Sequence, residues 1–360
     1  MSAHVPTNSW PNLLVPPLGV LLLALAWERD LPDLVLGFIA IVMGAAVMVA
    51  VHHAEVIAAK VGEPFGSLVL AVAVTTIEVA LILTIMAGGS EDAATLARDT
   101  VFAAVMIIYT GLIGLCLLVG TVKHRVQEFH SRGAIGALGG ATVLVVVNLV
   151  LPSYTRSTEG PTLSTSQLLF FAAVALALYG TFVFFQTIRH RHYFAPDEGE
   201  DPEEVEPPSA RVTRASLVML LLCLVTVVGL AKVLSPTMKD VVESVGAPIS
   251  SVGVIIALVV LAPETVAAVR AAANNQLQTS MNLALGSAMA SIGLTIPAIA
   301  VASLFVDIEL QLGLGGSEVV LLALTVVSTM MTLMHGRVTV MQGAIHLSIF
   351  ATFLFLAFNP

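Results

Sequence analysis

The sequence predicts an all-α, polytopic membrane protein of about eleven transmembrane helices, and three observations carry that prediction. Only 11% of the 360 residues are charged, where a soluble domain carries about 25%. Hydrophobic residues make up 57% of the chain and the mean hydropathy is +0.97, more apolar side chain than one globular core can hide. These residues are also grouped in runs near the length of about 20 that crosses a bilayer as a helix.

Cutting the chain at its charges and turn residues gives the spans in order. Span 1, residues 12–27, stops at Glu28-Arg29-Asp30, and span 2, 34–57, lies between Asp33 and Lys60. Pro64 and Gly88-Gly89 bound span 3 at 65–87; Arg98-Asp99 and Lys123 bound span 4 at 100–121. Span 5, 134–151, runs from Arg132 to Pro152, and span 6, 166–188, ends at Arg189. Arg214 and Pro236 enclose span 7 at 215–234, and Pro248 and Arg270 enclose span 8 at 249–269. Span 9, 281–305, ends before Asp307, and Gly336-Arg337 separates span 10, 318–335, from span 11, 338–357. The first residues, MSAHVPTNSWPN, place no basic region before span 1, so that span is expected to remain rather than be cleaved as a secretory signal.

The formal net charge of −9 is concentrated. Asp197 to Glu206 holds seven carboxylates and no base, with Pro202 inside it and Pro207 and Pro208 directly after it; such a segment cannot pack and reads as a solvated linker. No basic patch suggests a nucleic-acid partner. Cys116 and Cys223 sit inside apolar runs, as packing residues do. Lys and Arg set the orientation, because translocating positive charge is disfavoured. With the amino terminus inside, ten fall on cytoplasmic connections (among them Lys60, Lys123, Arg132, Arg270 and Arg337) and five outside. The amino terminus and acidic linker are therefore expected in the cytoplasm and the carboxyl terminus outside, most simply in a bacterial inner membrane.

A repeat organises the chain. Val61-Gly62-Glu63-Pro64 introduces span 3, which reaches Glu78; Val245-Gly246-Ala247-Pro248 introduces span 8, which reaches Glu264. The predicted domains are an amino-terminal segment with span 1 (1–33), a first five-helix repeat (34–188), an acidic cytoplasmic linker (189–214) and a second five-helix repeat (215–360). An odd helix number per repeat inverts one against the other, the plan of many secondary transporters with a midplane site.

Glu78 and Glu264 lie deep within spans. An acid there costs about 2.5–3.5 kcal/mol on insertion scales, so it normally faces a cavity or partner on an ion or proton path. Pro263 has no N–H, which frees the carbonyl of Val259 beside Glu264, and a freed carbonyl next to a carboxylate suits Ca2+ or Na+. Thr75, one turn before Glu78, offers a hydroxyl on the same face; Thr76 is aimed less well. Gly286, Ser287, Ala290 and Ser291 form a small-residue stripe that permits close packing and supplies hydroxyls. His52 and Glu55 of the stretch His52-His53-Ala54-Glu55 are spaced to share a metal, yet they sit at a helix end where polar anchors are common. An interfacial role, a proton or cation access path that Glu63 extends, and a metal site all fit them, and a fixed metal is not expected. His346 reads as a satisfied polar contact. No P-loop, GxSxG, HExxH or CxxC pattern is present, so the common enzyme and ATP-driven signatures are absent.

The stretches HHAEVIAAKVGEPFGSLVLAVAVTTIEVALI (52–82), GLIGLCLLVG (111–120), the run Leu261 to Pro297 and HGRVTVMQGAIHL (335–347) resemble the calcium/cation antiporter superfamily, in particular the bacterial Cha-type branch of its cation/proton exchangers. The resemblance implies one essential acid per repeat at Glu78 and Glu264, and no cofactor beyond the transported Ca2+ (or Na+, K+) and H+. Val74-Thr75 and Val260-Leu261 replace the family's Gly-Asn pairs, and Thr110 stands where relatives tend to carry Asn. On this reading Ca2+ and protons compete for the two carboxylates, with Na+/H+ or K+/H+ exchange as the alternative; a membrane metalloenzyme and a channel are the remoter rivals. The expected partners are membrane lipid and inorganic cations.

Overall fold

The computed structural model describes residues 10–29, 31–62, 65–87, 93–194, 207–244, 246–305 and 310–359. Eleven helical segments appear among them, in the predicted order. They are α1 (Trp10–Ala26), α2 (Asp33–Val61), α3 (Phe65–Met86), α4 (Ala94–His124), α5 (Ser131–Tyr154), α6 (Thr165–Arg189), α7 (Ala210–Ser244), α8 (Ser250–Ala273), α9 (Leu277–Ala302), α10 (Gly316–Met334) and α11 (Val340–Phe358). Ten of these are long and apolar enough to cross a membrane, and α1 is a shorter apolar helix. Large apolar side chains such as Phe38, Ile41, Phe170 and Phe355 stand exposed on them, as lipid-facing residues must.

Several boundaries differ from the sequence expectation, and two of the differences have a plain physical reason. Helix α4 begins upstream of Arg98 and Asp99 rather than after them, because Arg98 Nη2 lies 2.7 Å from Asp99 Oδ1 and the neutralised pair can stay inside the fold. Helix α7 runs through Pro236 and on past Lys239, Asp240 and Glu243. Proline removes one backbone bond without ending a long helix that is packed on neighbours. Three π-turns also interrupt α-geometry, at Ile107–Leu112 in α4, Val146–Val150 in α5 and Phe185–Arg189 in α6.

By packing, the chain forms two compact units. The first contains α1, α2, α3 and α7, with α2 and α7 as its broadest pair. Glycines make α1 fit: Gly19 faces the Thr226 side chain and Gly229 faces Leu23, leaving no room for a Cβ at either.

The second unit contains α4, α5, α6, α8, α9, α10 and α11. Within it α4 lies against α8 and α11, and α9 lies against α6, α8 and α5. Gly253 of α8 sits on the α4 backbone; a Cβ there would be 2.8 Å from the Thr100 nitrogen. A two-residue antiparallel ladder, β1 (Gln127–Glu128) with β2 (Arg337–Val338), ties the loop after α4 to the loop before α11. At the opposite ends of these helices, residues 311–314 bond to Ala94, Pro161 and Leu149 through backbone amides, and Arg98 Nη1 donates to the Gly313 carbonyl at 3.2 Å.

Candidate functional site

In the second unit the chemistry gathers where α8 meets α9. Glu264 is half-buried on α8 directly after Pro263, which is buried. Pro263 donates no hydrogen bond, so the Val259 carbonyl one turn earlier lacks its helical partner. The Ser287 hydroxyl of α9 donates to Glu264 Oε2 in a short hydrogen bond. Ser291, one turn further along α9, is buried with Ala290. The Thr265 hydroxyl donates back to the Leu261 carbonyl at 2.8 Å, a local bond that serves the helix rather than a ligand.

The π-turn of α4 touches both α8 and α9. Thr110 lies in its centre, fully buried, and its hydroxyl donates to the Met106 carbonyl. That bond commits the proton and leaves the oxygen's lone pairs as acceptors. His346 of α11 braces the same turn: its Nδ1 is 2.7 Å from the Tyr109 carbonyl and its Nε2 is 3.0 Å from the Thr332 hydroxyl. A carbonyl only accepts, so Nδ1 carries a proton there, while Nε2 pairs with the Thr332 hydroxyl. His346 is thus a satisfied contact, as its sequence context suggests.

In the first unit Glu78 is 2% exposed on α3, and Thr75, one turn before it, is also buried. Thr76 points away, exposed, and its hydroxyl donates to the Val72 carbonyl at 2.7 Å. His53 is buried and its Nε2 meets the Asn12 carbonyl at 3.0 Å, joining α2 to α1. His52 is half-buried and Glu55 is exposed. Among the described residues no group of three or more His, Cys, Asp or Glu side chains is arranged to hold a metal ion. Glu63 lies outside the described residues.

Two features escaped the sequence reading. Arg98 and Asp99 serve in the sequence only to bound span 4, yet Asp99 is 5% exposed and also accepts from the Thr95 hydroxyl at 2.9 Å. Asn148 sits buried in the α5 π-turn, its Nδ2 donating to the Leu144 carbonyl at 2.8 Å. A polar residue mid-span was the available signal for Asn148; nothing in the sequence marks a π-turn.

Ten membrane-length helices, with Glu78 buried in one and the Ser287 hydroxyl donating to Glu264 between two others, define a polytopic membrane protein with acids inside its helical frame. The model of the sodium/calcium exchanger protein family matches residues 33–188 and 215–359, and the chain belongs to that family. It is 43% identical over its full length to the putative ionic transporter y4hA of Sinorhizobium fredii, covering 98% of that protein. It is 35% identical to the sodium-potassium/proton antiporter ChaA of Escherichia coli over 86% of this chain and 84% of that one. The crystal structure of the H+/Ca2+ exchanger CAX matches 96% of the chain, and 87% of its own, with a TM-score of 0.69 at 17% identity, which shows a shared fold. The protein is accordingly an antiporter and not an enzyme.

Proposed function

We propose that this cation/proton antiporter exchanges Ca2+ for H+ through Glu78 and Glu264, one acid from each inverted five-helix repeat. The carrying observation is the pairing of Glu264 with the Ser287 hydroxyl beside a proline-freed carbonyl. A carboxylate, a hydroxyl and a carbonyl released from its helical bond are hard oxygen ligands of the kind that Ca2+ and Na+ take. Two ionised carboxylates neutralise one Ca2+. Without a cation, uncompensated charge within a membrane is costly, so protons replace it, and a site that is either loaded or protonated makes exchange obligatory. Thr75, Thr110 and Ser291 are the supporting oxygens in this reading, and rocking of one helix group exposes the site to each side in turn. Support for the repeats comes from the family match, which falls in two blocks on either side of the acidic linker. The Lys/Arg distribution supports a cytoplasmic amino terminus and linker.

A second reading, Na+ or K+ in place of Ca2+, has its own support. The Escherichia coli relative is named for sodium and potassium, and Val74-Thr75 and Val260-Leu261 supply no amide oxygens toward a six-to-eight oxygen Ca2+ shell. Vesicle pH recovery in everted membranes, measured on adding CaCl2, NaCl or KCl separately, distinguishes the cargo. Glu78→Gln and Glu264→Gln should each abolish recovery with every salt while protein in the membrane stays at the wild-type level. Near-normal flux from either variant overturns the mechanism.

A further inference from the structure

A cavity of about 550 Å³ opens in the second unit away from α8, between the start of α5, the end of α6 and the β1–β2 ladder. Its lining is basic. Arg132 and Arg337 contribute guanidinium groups, and His130, His192 and His335 contribute imidazoles. Ser131 adds a hydroxyl at the N-terminus of α5, where the helix dipole favours an anion. The one acid is Glu128, held by Arg337 with Nε donating to Oε1 at 2.6 Å. This pair is exposed, at 72% and 58%, so its mutual attraction is weak and the guanidinium can exchange partners at little cost. Arg132 lies over the Tyr193 ring at 5.9 Å, which holds its position without consuming its N–H donors.

The surroundings indicate what kind of anion belongs there. The cavity lies where α5 begins and just beyond the ends of α6 and α10. Near these ends Ile135 of α5, Ile188 of α6, and Met331 and Met334 of α10 are exposed. A basic cavity at the ends of membrane-length helices that expose apolar side chains near those ends suits a molecule with a phosphate at one end and acyl chains at the other. We propose that this cavity binds the phosphodiester of an anionic phospholipid headgroup, with Arg132 and Arg337 as the charged ligands and the apolar residues against its chains. The site is separate from the exchange chemistry and does not depend on which cation is carried.

The test uses the purified full-length protein in phosphatidylglycerol/phosphatidylcholine nanodiscs, counting lipids retained on release by native mass spectrometry. Wild type should retain phosphatidylglycerol in preference to phosphatidylcholine. A basic residue near an anionic surface contributes about 1 kcal/mol, or about fivefold, so the R132A/R337A double variant should retain about 25-fold less. Glu128→Gln should raise retention, because it removes the one acid and releases Arg337; this arm stands even if the double variant fails to fold. Equal retention of the two lipids by wild type, or no loss in a well-folded double variant, overturns the proposal. Displacement of phosphatidylglycerol by millimolar inorganic phosphate also overturns it, since the occupant would then be a free anion.

Discussion

Replacing Ser287 by alanine tests the candidate site at one atom. The hydroxyl donates to Glu264 Oε2, and hydrogen bonds to charged groups are worth about 1.5–3 kcal/mol. Packing changes little, because Ser287 is half-buried and belongs to a small-residue stripe. With 1.4 kcal/mol per tenfold, losing this bond and the hydroxyl's direct ligation should raise the half-saturating cation concentration by about 10- to 100-fold at fixed pH. The maximal rate should change much less, since both carboxylates remain. Cation titrations in everted vesicles, read as recovery of the pH gradient, give both quantities. Ser287→Thr keeps a hydroxyl at this position and should return the value to within about threefold of wild type. A half-saturating concentration in Ser287→Ala within twofold of wild type would refute the argument that this hydroxyl serves the cation site.

Other expectations concern the frame of the second unit. Arg98→Ala should destabilise the purified protein strongly, on the order of 3–5 kcal/mol, because it leaves the carboxylate of Asp99 buried without its cation; the Arg98→Ala/Asp99→Asn double variant should recover part of the loss in a thermal melt. His346→Leu removes the bonds to the Tyr109 carbonyl and the Thr332 hydroxyl and should cost about 2–4 kcal/mol from two stranded buried polar groups. It should lower the melting temperature whether or not cation is present. Gly253→Val pushes side-chain atoms into the Thr100 backbone and should cost about 1–3 kcal/mol or more, whereas Gly286→Ala, with open space around it, should leave the melting temperature within a degree or two.

Much of the fold is legible along the chain because lipid imposes a local rule. A span must be apolar for about 20 residues and must satisfy its own backbone, and both conditions are written in consecutive residues. The errors arise where a partner relaxes the rule. Arg98 and Asp99 look like a helix end until they are seen neutralising each other, and Pro236 looks like a stop until α7 is seen packed along its length on α2. The candidate acids were legible for a related reason: a carboxylate deep in an apolar run is expensive and stands out. Thr110 and Ser287 could be named as oxygen sources, but not what their protons would do. The π-turn that contains Thr110, the histidine that braces it and the donor–acceptor sense of Ser287 with Glu264 depend on atoms from other helices.

The sequence by itself determined the solvent and the order of the helices, and it singled out two acids lying deep in apolar runs. Only the tertiary structure decided which helices share a unit, that Ser287 of α9 reaches Glu264 of α8, and that separate loops close a basic cavity. The reason is physical. Insertion into lipid is decided span by span, by the transfer free energy of neighbouring residues, whereas a side-chain pair across two helices or a basic cavity exists only after segments distant in the chain have packed together.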